Sequence, residues 1–239
     1  MAITIDYGDC QPTSIKAVDA YLESIQQPRA HLGLSAIGHP CGRYLWFQSN
    51  GYQVEAEPHK GKLLRTFAFG NAVEDLMATW IIGTGFHLQQ RQYKVRFTRE
   101  SLTLEGSVDG VISGLLESSQ PHLWECKSMN NKGFNALLKS GYEAYSEQYK
   151  TQAHVYAYGL NLKRIFITVM NKDNSEIYAE RIKTDPDYAV TQLNRAFDVL
   201  EMVTPPDCQC SGESDYRAKM CGFKAFCFDG KKKRTVARG

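Results

Sequence analysis

Apolar positions along the chain follow two rhythms. Residues 15–26 alternate apolar and polar side chains at helical spacing, and residues 41–47 are short and aromatic, so both predict helical pieces of an N-terminal lobe. Phe69, Val73, Leu76, Met77 and Trp80 recur at steps of three and four, which predicts an amphipathic helix over residues 67–82 that stops before Gly83 and Gly85. A stretch rich in β-branched and aromatic residues follows. Residues 93–98, 102–108, 111–116 and 122–127 predict an antiparallel set of strands, with turn chemistry at 99–101 and 117–121. Residues 142–160 return to helix, 164–170 and 176–183 predict a hairpin about a turn at 171–175, and 187–203 predict a further helix.

The order helix, strands, helix, strands, helix predicts an α/β fold: a mixed central β-sheet flanked by helices. It divides the chain into a helical N-terminal lobe (1–66), a core (67–204) and, after Pro205 and Pro206, a cysteine-bearing segment with a basic tail (205–239), all within one composite domain. At 239 residues the chain is long enough to bury one core. Hydrophobic residues at 43% and charged residues at 23% exclude disorder, collagen and coiled coil as the main state. No apolar run approaches the roughly 20 residues of a membrane span, and the first residues lack a basic segment followed by an apolar one, so a soluble, cytoplasmic protein is expected. The formal charge of +2 hides an asymmetry: residues 231–239 supply five of the 28 basic side chains and no acid, which leaves the rest acidic.

The most informative stretch is His122-Leu-Trp-Glu-Cys-Lys127. On a strand, residues two apart share a face, so Glu125 and Lys127 project together while Trp124 and Cys126 point the other way. A carboxylate and an ammonium on an otherwise apolar strand are costly to bury unless further groups complete the site; a bare Glu-x-Lys otherwise reads as a solvated ion pair. Upstream, Gly106-Ser-Val-Asp109-Gly-Val-Ile112 puts a second carboxylate in an adjoining strand, although Asp109-Gly110 also reads as a hairpin turn. Oxygen ligands of this kind are what Mg²⁺ or Mn²⁺ takes beside a substrate phosphate. Glu74 lies on the helix before the strands. Tyr149, Gln152 and Tyr156 share a face of the helix after them. No G-x-S-x-G and no GxxxxGK[ST] occurs, so no serine hydrolase and no ATP site is expected in this chain.

The sequence of motifs, Gly-x-x-x-Glu on a helix, Gly-x-x-Asp in a strand, Glu-x-Lys in the next strand and Gln-x-x-x-Tyr on a helix, resembles the PD-(D/E)xK nuclease superfamily. Within it the chain is similar to the RecB-like nucleases, including the CRISPR-associated and phage exonuclease branches, over about residues 41–227. The resemblance implies that Glu74, Asp109, Glu125 and the main-chain carbonyl of Cys126 bind a catalytic Mg²⁺ or Mn²⁺. Lys127 would then polarise the attacking water or neutralise the scissile phosphate, with Gln152 and Tyr156 in support. Two departures are visible: Val108 stands where the pattern has proline, and Glu74 stands where many relatives have histidine.

In the iron–sulfur subset of this family, one cysteine before the core and three after it hold a [4Fe–4S] cluster, and Cys41, followed by Arg43 and Trp46, resembles the first of these. Cys221 and Cys227 match two of the others. Ala218 occupies the place of the first cysteine in C-x2-C-x5-C, so Cys208 or Cys210 would complete the set. Four thiolates also suit Zn²⁺, and an incomplete set would leave ordinary reduced thiols. Cys10 and Cys126 read as non-ligands.

DNA is the expected partner. Arg43, Arg65, Lys132 and Lys139 are candidates for a basic groove, the 231–239 tail for non-specific attraction, and Tyr44, Trp46 and Phe47 for base stacking or for packing in the lobe. The leading expectation is a metal-dependent DNA exonuclease acting in recombination, repair, phage replication or spacer acquisition. Family relatives also form homo-oligomers or act with recombination or CRISPR partner proteins. The rival readings are a catalytically silent DNA-binding or scaffold subunit and an endonuclease on the same core.

Overall fold

The computed structural model describes residues 13–25, 32–52 and 60–228. Cys10 and the basic tail lie outside them. In chain order the elements are α1 (Thr13–Ile25), a 3-10 turn at Leu34–Ala36, α2 (Gly42–Ser49), α3 (Lys60–Gly83), β1 (His87–Gln89), β2 (Lys94–Arg99), β3 (Leu102–Ser107), β4 (Gly110–Ser113), β5 (His122–Met129), α4 (Asn131–Ser140), α5 (Tyr142–Tyr145), α6 (Glu147–Gly159), β6 (Arg164–Asn171), β7 (Ile177–Lys183), α7 (Pro186–Glu201), α8 (Tyr216–Lys219) and α9 (Lys224–Phe228).

A five-stranded sheet runs in the order β1-β4-β5-β6-β7, and β2 and β3 form a separate two-stranded ribbon. The pairing is mixed. β5 and β6 are parallel, with Glu125 opposite Ile167 and Lys127 opposite Val169, and every other pair is antiparallel. This mixed sheet between helices is the predicted fold class. The early strands pair antiparallel as expected, β2 with β3 and β4 with β5, but in two separate sheets, while β5 takes its parallel neighbour β6 through the α4-α5-α6 crossover.

Each face of the sheet buries its own core. Leu123, Ile165, Ile167 and Val169 face the larger one, packed by α2, α6 and α7 residues such as Phe47, Val155 and Phe197. Trp124, Cys126 and Met170 face a smaller one against Val73, Met77, Ala78 and Ile81 of α3. The apolar stripe expected on α3 therefore splits. Val73 and Met77 are buried, whereas Phe69, Leu76 and Trp80 are about half exposed, because the sheet covers an arc of the helix centred on residues 74, 77, 78 and 81.

Local signals set the boundaries near the site. The predicted 142–160 helix breaks at Ser146, whose extended backbone caps α6 and whose Oγ accepts from the Tyr149 amide at 3.3 Å. Asp185 caps α7 in the same way, with Pro186 at its first turn. α4 was not evident in the sequence; Asn130 Oδ1 opens it by accepting from the Gly133 amide at 2.8 Å, and Gly141 closes it at φ +74°. The N-terminal lobe is fastened to the C-terminal segment: Trp46 Nε1 donates to the Met202 carbonyl at 2.8 Å, Arg43 Nε to the Pro206 carbonyl at 2.6 Å, and Phe47 packs against Phe223 and Phe226. Trp46 and Phe47 thus take the packing role rather than an exposed stacking one.

Gly38 shows how tightly the turn after Leu34–Ala36 meets α6, since a Cβ there would stand 2.6 Å from Thr151 Cβ and 2.7 Å from Gln148 Cα. Backbone cannot yield as a side-chain tip can. Gly38→Ala should cost about 1–3 kcal/mol, whereas Gly70→Ala, with open space around it in α3, should stabilise by up to about 1 kcal/mol; urea denaturation of the two variants measures both.

Candidate active site

Where β3 ends, Val108 and Asp109 carry the chain from the ribbon into the main sheet. The Asp109-Gly110 pair therefore bends the chain without making a hairpin, and Asp109 precedes β4 rather than lying within a strand. Its Oδ2 accepts from the Cys126 amide at 2.8 Å, which fixes the carboxylate against β5 just beyond the last β4–β5 pair, Gly110 with Trp124. A Cβ at Gly110 would lie 2.8 Å from Leu88 Cδ1 of the neighbouring β1.

Glu125 and Lys127 project from β5 toward the larger core, as the alternation predicts. Glu125 is fully buried. Lys127 Nζ bonds Glu125 Oε1, while Glu125 Oε2 is buried with no hydrogen-bond partner. An orphaned carboxylate oxygen in such a place costs folding free energy unless a positive group meets it. It is the strongest single indication that the site is built for something the chain does not itself supply.

The electrostatics agree. Burial first, and the Glu125 charge second, push Asp109 up to about 7. Burial works against the charge on Lys127, but Glu125 and Asp109 outweigh it and hold the ammonium well above its ordinary range. Burial, then the proximity of Asp109, also raises Glu74 on α3. The four groups expected together are therefore electrostatic neighbours. Glu74 is turned aside, however: its Oε1 accepts from Arg91 at 3.1 Å and from Gln92 Nε2 at 2.9 Å.

Among the described residues no three His, Cys, Asp or Glu side chains stand ready to hold a metal ion as they lie. At the acidic site the reason is visible, because Lys127 occupies Glu125 Oε1 and Arg91 occupies Glu74. The donor chemistry still fits a hard divalent ion: two buried carboxylates, one with an unused oxygen, and the Cys126 carbonyl beside them. Tyr156 is buried on α6, and its hydroxyl abuts Gly106, where a Cβ would come within 2.3 Å. Gln152 is buried on the same helix.

Other aromatic residues do reach the lysine. The Tyr149 ring lies 5.5 Å from Lys127 Nζ, a cation–π distance. The buried Tyr142, whose hydroxyl contacts the Tyr149 carbonyl at 3.5 Å, is held well above the usual phenol range by burial and then by Glu125. Sequence reasoning passed over Tyr142 and assigned Tyr149 no role, since neither belongs to a motif with the lysine; they meet it only after the chain doubles back through α4. Arg91 and Gln92 were missed for a similar reason, being turn residues at positions with no pattern.

Of the candidate nucleic-acid contacts, Lys132 and Lys139 are exposed on one face of α4, seven residues apart. Arg65 pairs with Asp19, and Arg43 is committed to Pro206. The cysteines gather at the other end of the chain: the Cys227 thiol is raised to about 11 by burial first, with Cys208 and Arg43 in bonding reach, and the Cys221 thiol is raised by burial with Cys41 and Cys208 nearby. Cys210 contacts Cys208. All of these are free thiols, and Cys126 is a buried thiol pushed up to about 12 by burial.

No family model matches the chain, and no curated protein does. Among solved structures, SSO0001 superposes with a TM-score of 0.54 at 13% identity, covering 89% of this chain and 93% of its own. That likeness is one of fold alone. An alkaline exonuclease, LHK-Exo from Laribacter hongkongensis, gives 0.46 at 12% identity over 72% of this chain and 86% of its own. Its complex with dAMP gives 0.44 at 12% over 77% and 90%. Both superpositions are too loose to bear on what this chain does.

Two outcomes are expected in chelator. Lys127→Ala leaves Glu125 buried and unpaired and should cost about 3–5 kcal/mol in urea denaturation, most of it recovered in the double variant with Glu125→Gln. Asp109, raised from an unfolded value near 3.9 to about 7, holds its proton more tightly when folded. Its stabilising contribution is full below the unfolded value and is lost as pH rises through about 7. Melting temperature should fall over that window, and Asp109→Asn should flatten the slope.

Proposed function

We propose that the chain is a metal-dependent DNA exonuclease of the PD-(D/E)xK type, RecB-like in its motif order. The observation that carries this reading is the buried, unpartnered Glu125 Oε2 beside Lys127 and within the electrostatic reach of Asp109. Asp109, Glu125 and the Cys126 carbonyl would hold Mg²⁺ or Mn²⁺, with Glu74 joining once released from Arg91. Such an ion supplies an acidified water and shields the phosphoryl oxygens.

The chain's own groups account for the rest. Lys127, kept charged by its two carboxylate neighbours and lying over Tyr149, places a fixed cation where negative charge develops on the phosphate. With Glu125 among the residues that would hold such an ion, the Lys127 ammonium would be free to turn toward the scissile group. Lys132 and Lys139, on the helix that follows β5, would offer two exposed cations to the DNA backbone on the way in.

A second reading concerns the thiols. Cys41, Cys208, Cys221 and Cys227, with Cys210 as the alternative to Cys208, would hold a [4Fe–4S] cluster or Zn²⁺ that ties the N-terminal lobe to the C-terminal segment. The contacts among these thiols support it. Metal analysis of protein purified without oxygen decides it: iron and sulfide, or one zinc, lost in Cys221→Ala, is expected, and metal-free protein would end the reading.

The nuclease reading is tested on linear, end-labelled DNA and its closed-circular counterpart with Mg²⁺ or Mn²⁺. Loss of the linear form alone is expected, abolished by chelator and reduced at least about a thousandfold in Lys127→Ala. Cutting of the circle would make the enzyme an endonuclease. No cleavage by the folded protein would leave a DNA-binding subunit.

A further inference from the structure

A second polar cleft lies away from the carboxylates. It opens at the start of β5 and is lined by Glu117, Ser118, Ser119 and Gln120 of the β4–β5 connection, with Arg164 of β6 and Arg181 of β7; its volume is about 480 Å³. Sheet register explains why the two arginines meet. Leu123 pairs with Ile165, and Phe166 pairs with Arg181, so Arg164 and Arg181 emerge on the face that carries His122 and Trp124. Glu125 and Lys127 project from the opposite face, three and five residues farther along the strand. The cleft is therefore a separate place, not a limb of the candidate active site.

The lining is unusual in what it leaves unused. Arg181 Nη1 donates to the Glu117 carbonyl at 3.1 Å, yet neither Arg164 nor Arg181 forms a salt bridge within the described residues. Both side chains are exposed, and their remaining N–H donors have the fork geometry that suits oxyanions. Beneath them His122 is fully buried, and its Nδ1 lies 2.8 Å from the Gln120 carbonyl. A carbonyl only accepts, so Nδ1 carries the proton and Nε2 presents a bare lone pair. That Nε2 is buried without a partner. Both guanidiniums and Glu117 act on this ring electrostatically, but the ring does not line the cleft.

We propose that this cleft binds a phosphate group, with Arg164 and Arg181 as its counter-charges and the Ser118 and Ser119 hydroxyls as neutral donors. Two guanidiniums facing one pocket match the spread charge of a phosphate better than that of a single carboxylate. The inference does not depend on the nuclease reading, since nothing in it uses a metal ion or Lys127.

Calorimetric titration in chelator, with inorganic phosphate, a deoxynucleoside monophosphate and a short oligonucleotide lacking terminal phosphates, tests it. Wild-type protein should bind at least one of these, and Arg164→Ala and Arg181→Ala should each weaken that binding about tenfold or more, with unchanged melting temperature. Lys163→Ala, an equal change of charge on the neighbouring residue, should bind as wild type. Preference for inorganic phosphate and the monophosphate identifies a monoester site, and equal binding of the oligonucleotide identifies a backbone contact. Absence of binding, or equal losses in Lys163→Ala and the arginine variants, overturns the proposal. Because DNA cleavage is measured separately, either idea can fail while the other stands.

Discussion

Everything at the candidate site depends on the cost of burying Glu125. A fully shielded carboxylate is tolerable only when its charge is met, and the chain meets it halfway: Lys127 satisfies one oxygen and leaves the other bare. The arrangement is fixed by strand geometry. Two residues apart on β5, the acid and the base must share a face, and the parallel pairing with β6 sinks that face between Ile167 and Val169. The site's charge balance is thus written into the sheet, and a polar residue placed at Leu123 or Ile167 would disturb both together.

Asp109 adds the second constraint. It reaches β5 because the chain changes sheets at Val108–Asp109, and its grip on the Cys126 amide uses a backbone donor that β4 is too short to pair. One short strand therefore creates both the opening and the carboxylate that fills it. Burial, and after it the nearby Glu125 charge, raises Asp109 to about 7, and Lys127 balances the remaining carboxylate charge.

Much of this was legible in the sequence. The Glu-x-Lys alternation gave the face, the Gly-x-x-Asp spacing gave the second acid, and the order of elements gave a mixed sheet between helices. What was hidden depended on distance along the chain. Tyr142 and Tyr149 reach Lys127 only through the α4 crossover, and α4, opened by an asparagine cap and burying Phe134 and Leu137, lies outside the predicted elements. The α3 stripe misled because a sheet covers a narrower arc of a helix than the apolar residues of that helix occupy, leaving Phe69, Leu76 and Trp80 outward. Asp109-Gly110 carries a hairpin signature, yet β3 and β4 do not pair, because tertiary pairing with β2 and β5 overrides the local turn preference.

The unpartnered oxygen of Glu125 is proposed to hold a divalent cation. Titration of Mn²⁺ into metal-free protein, followed by the loss of the free-ion electron paramagnetic resonance signal, measures this without any substrate. Saturable binding by the wild type, abolished in Glu125→Gln while the fold persists, is the predicted result; equal binding by both proteins, or none by either, would contradict it.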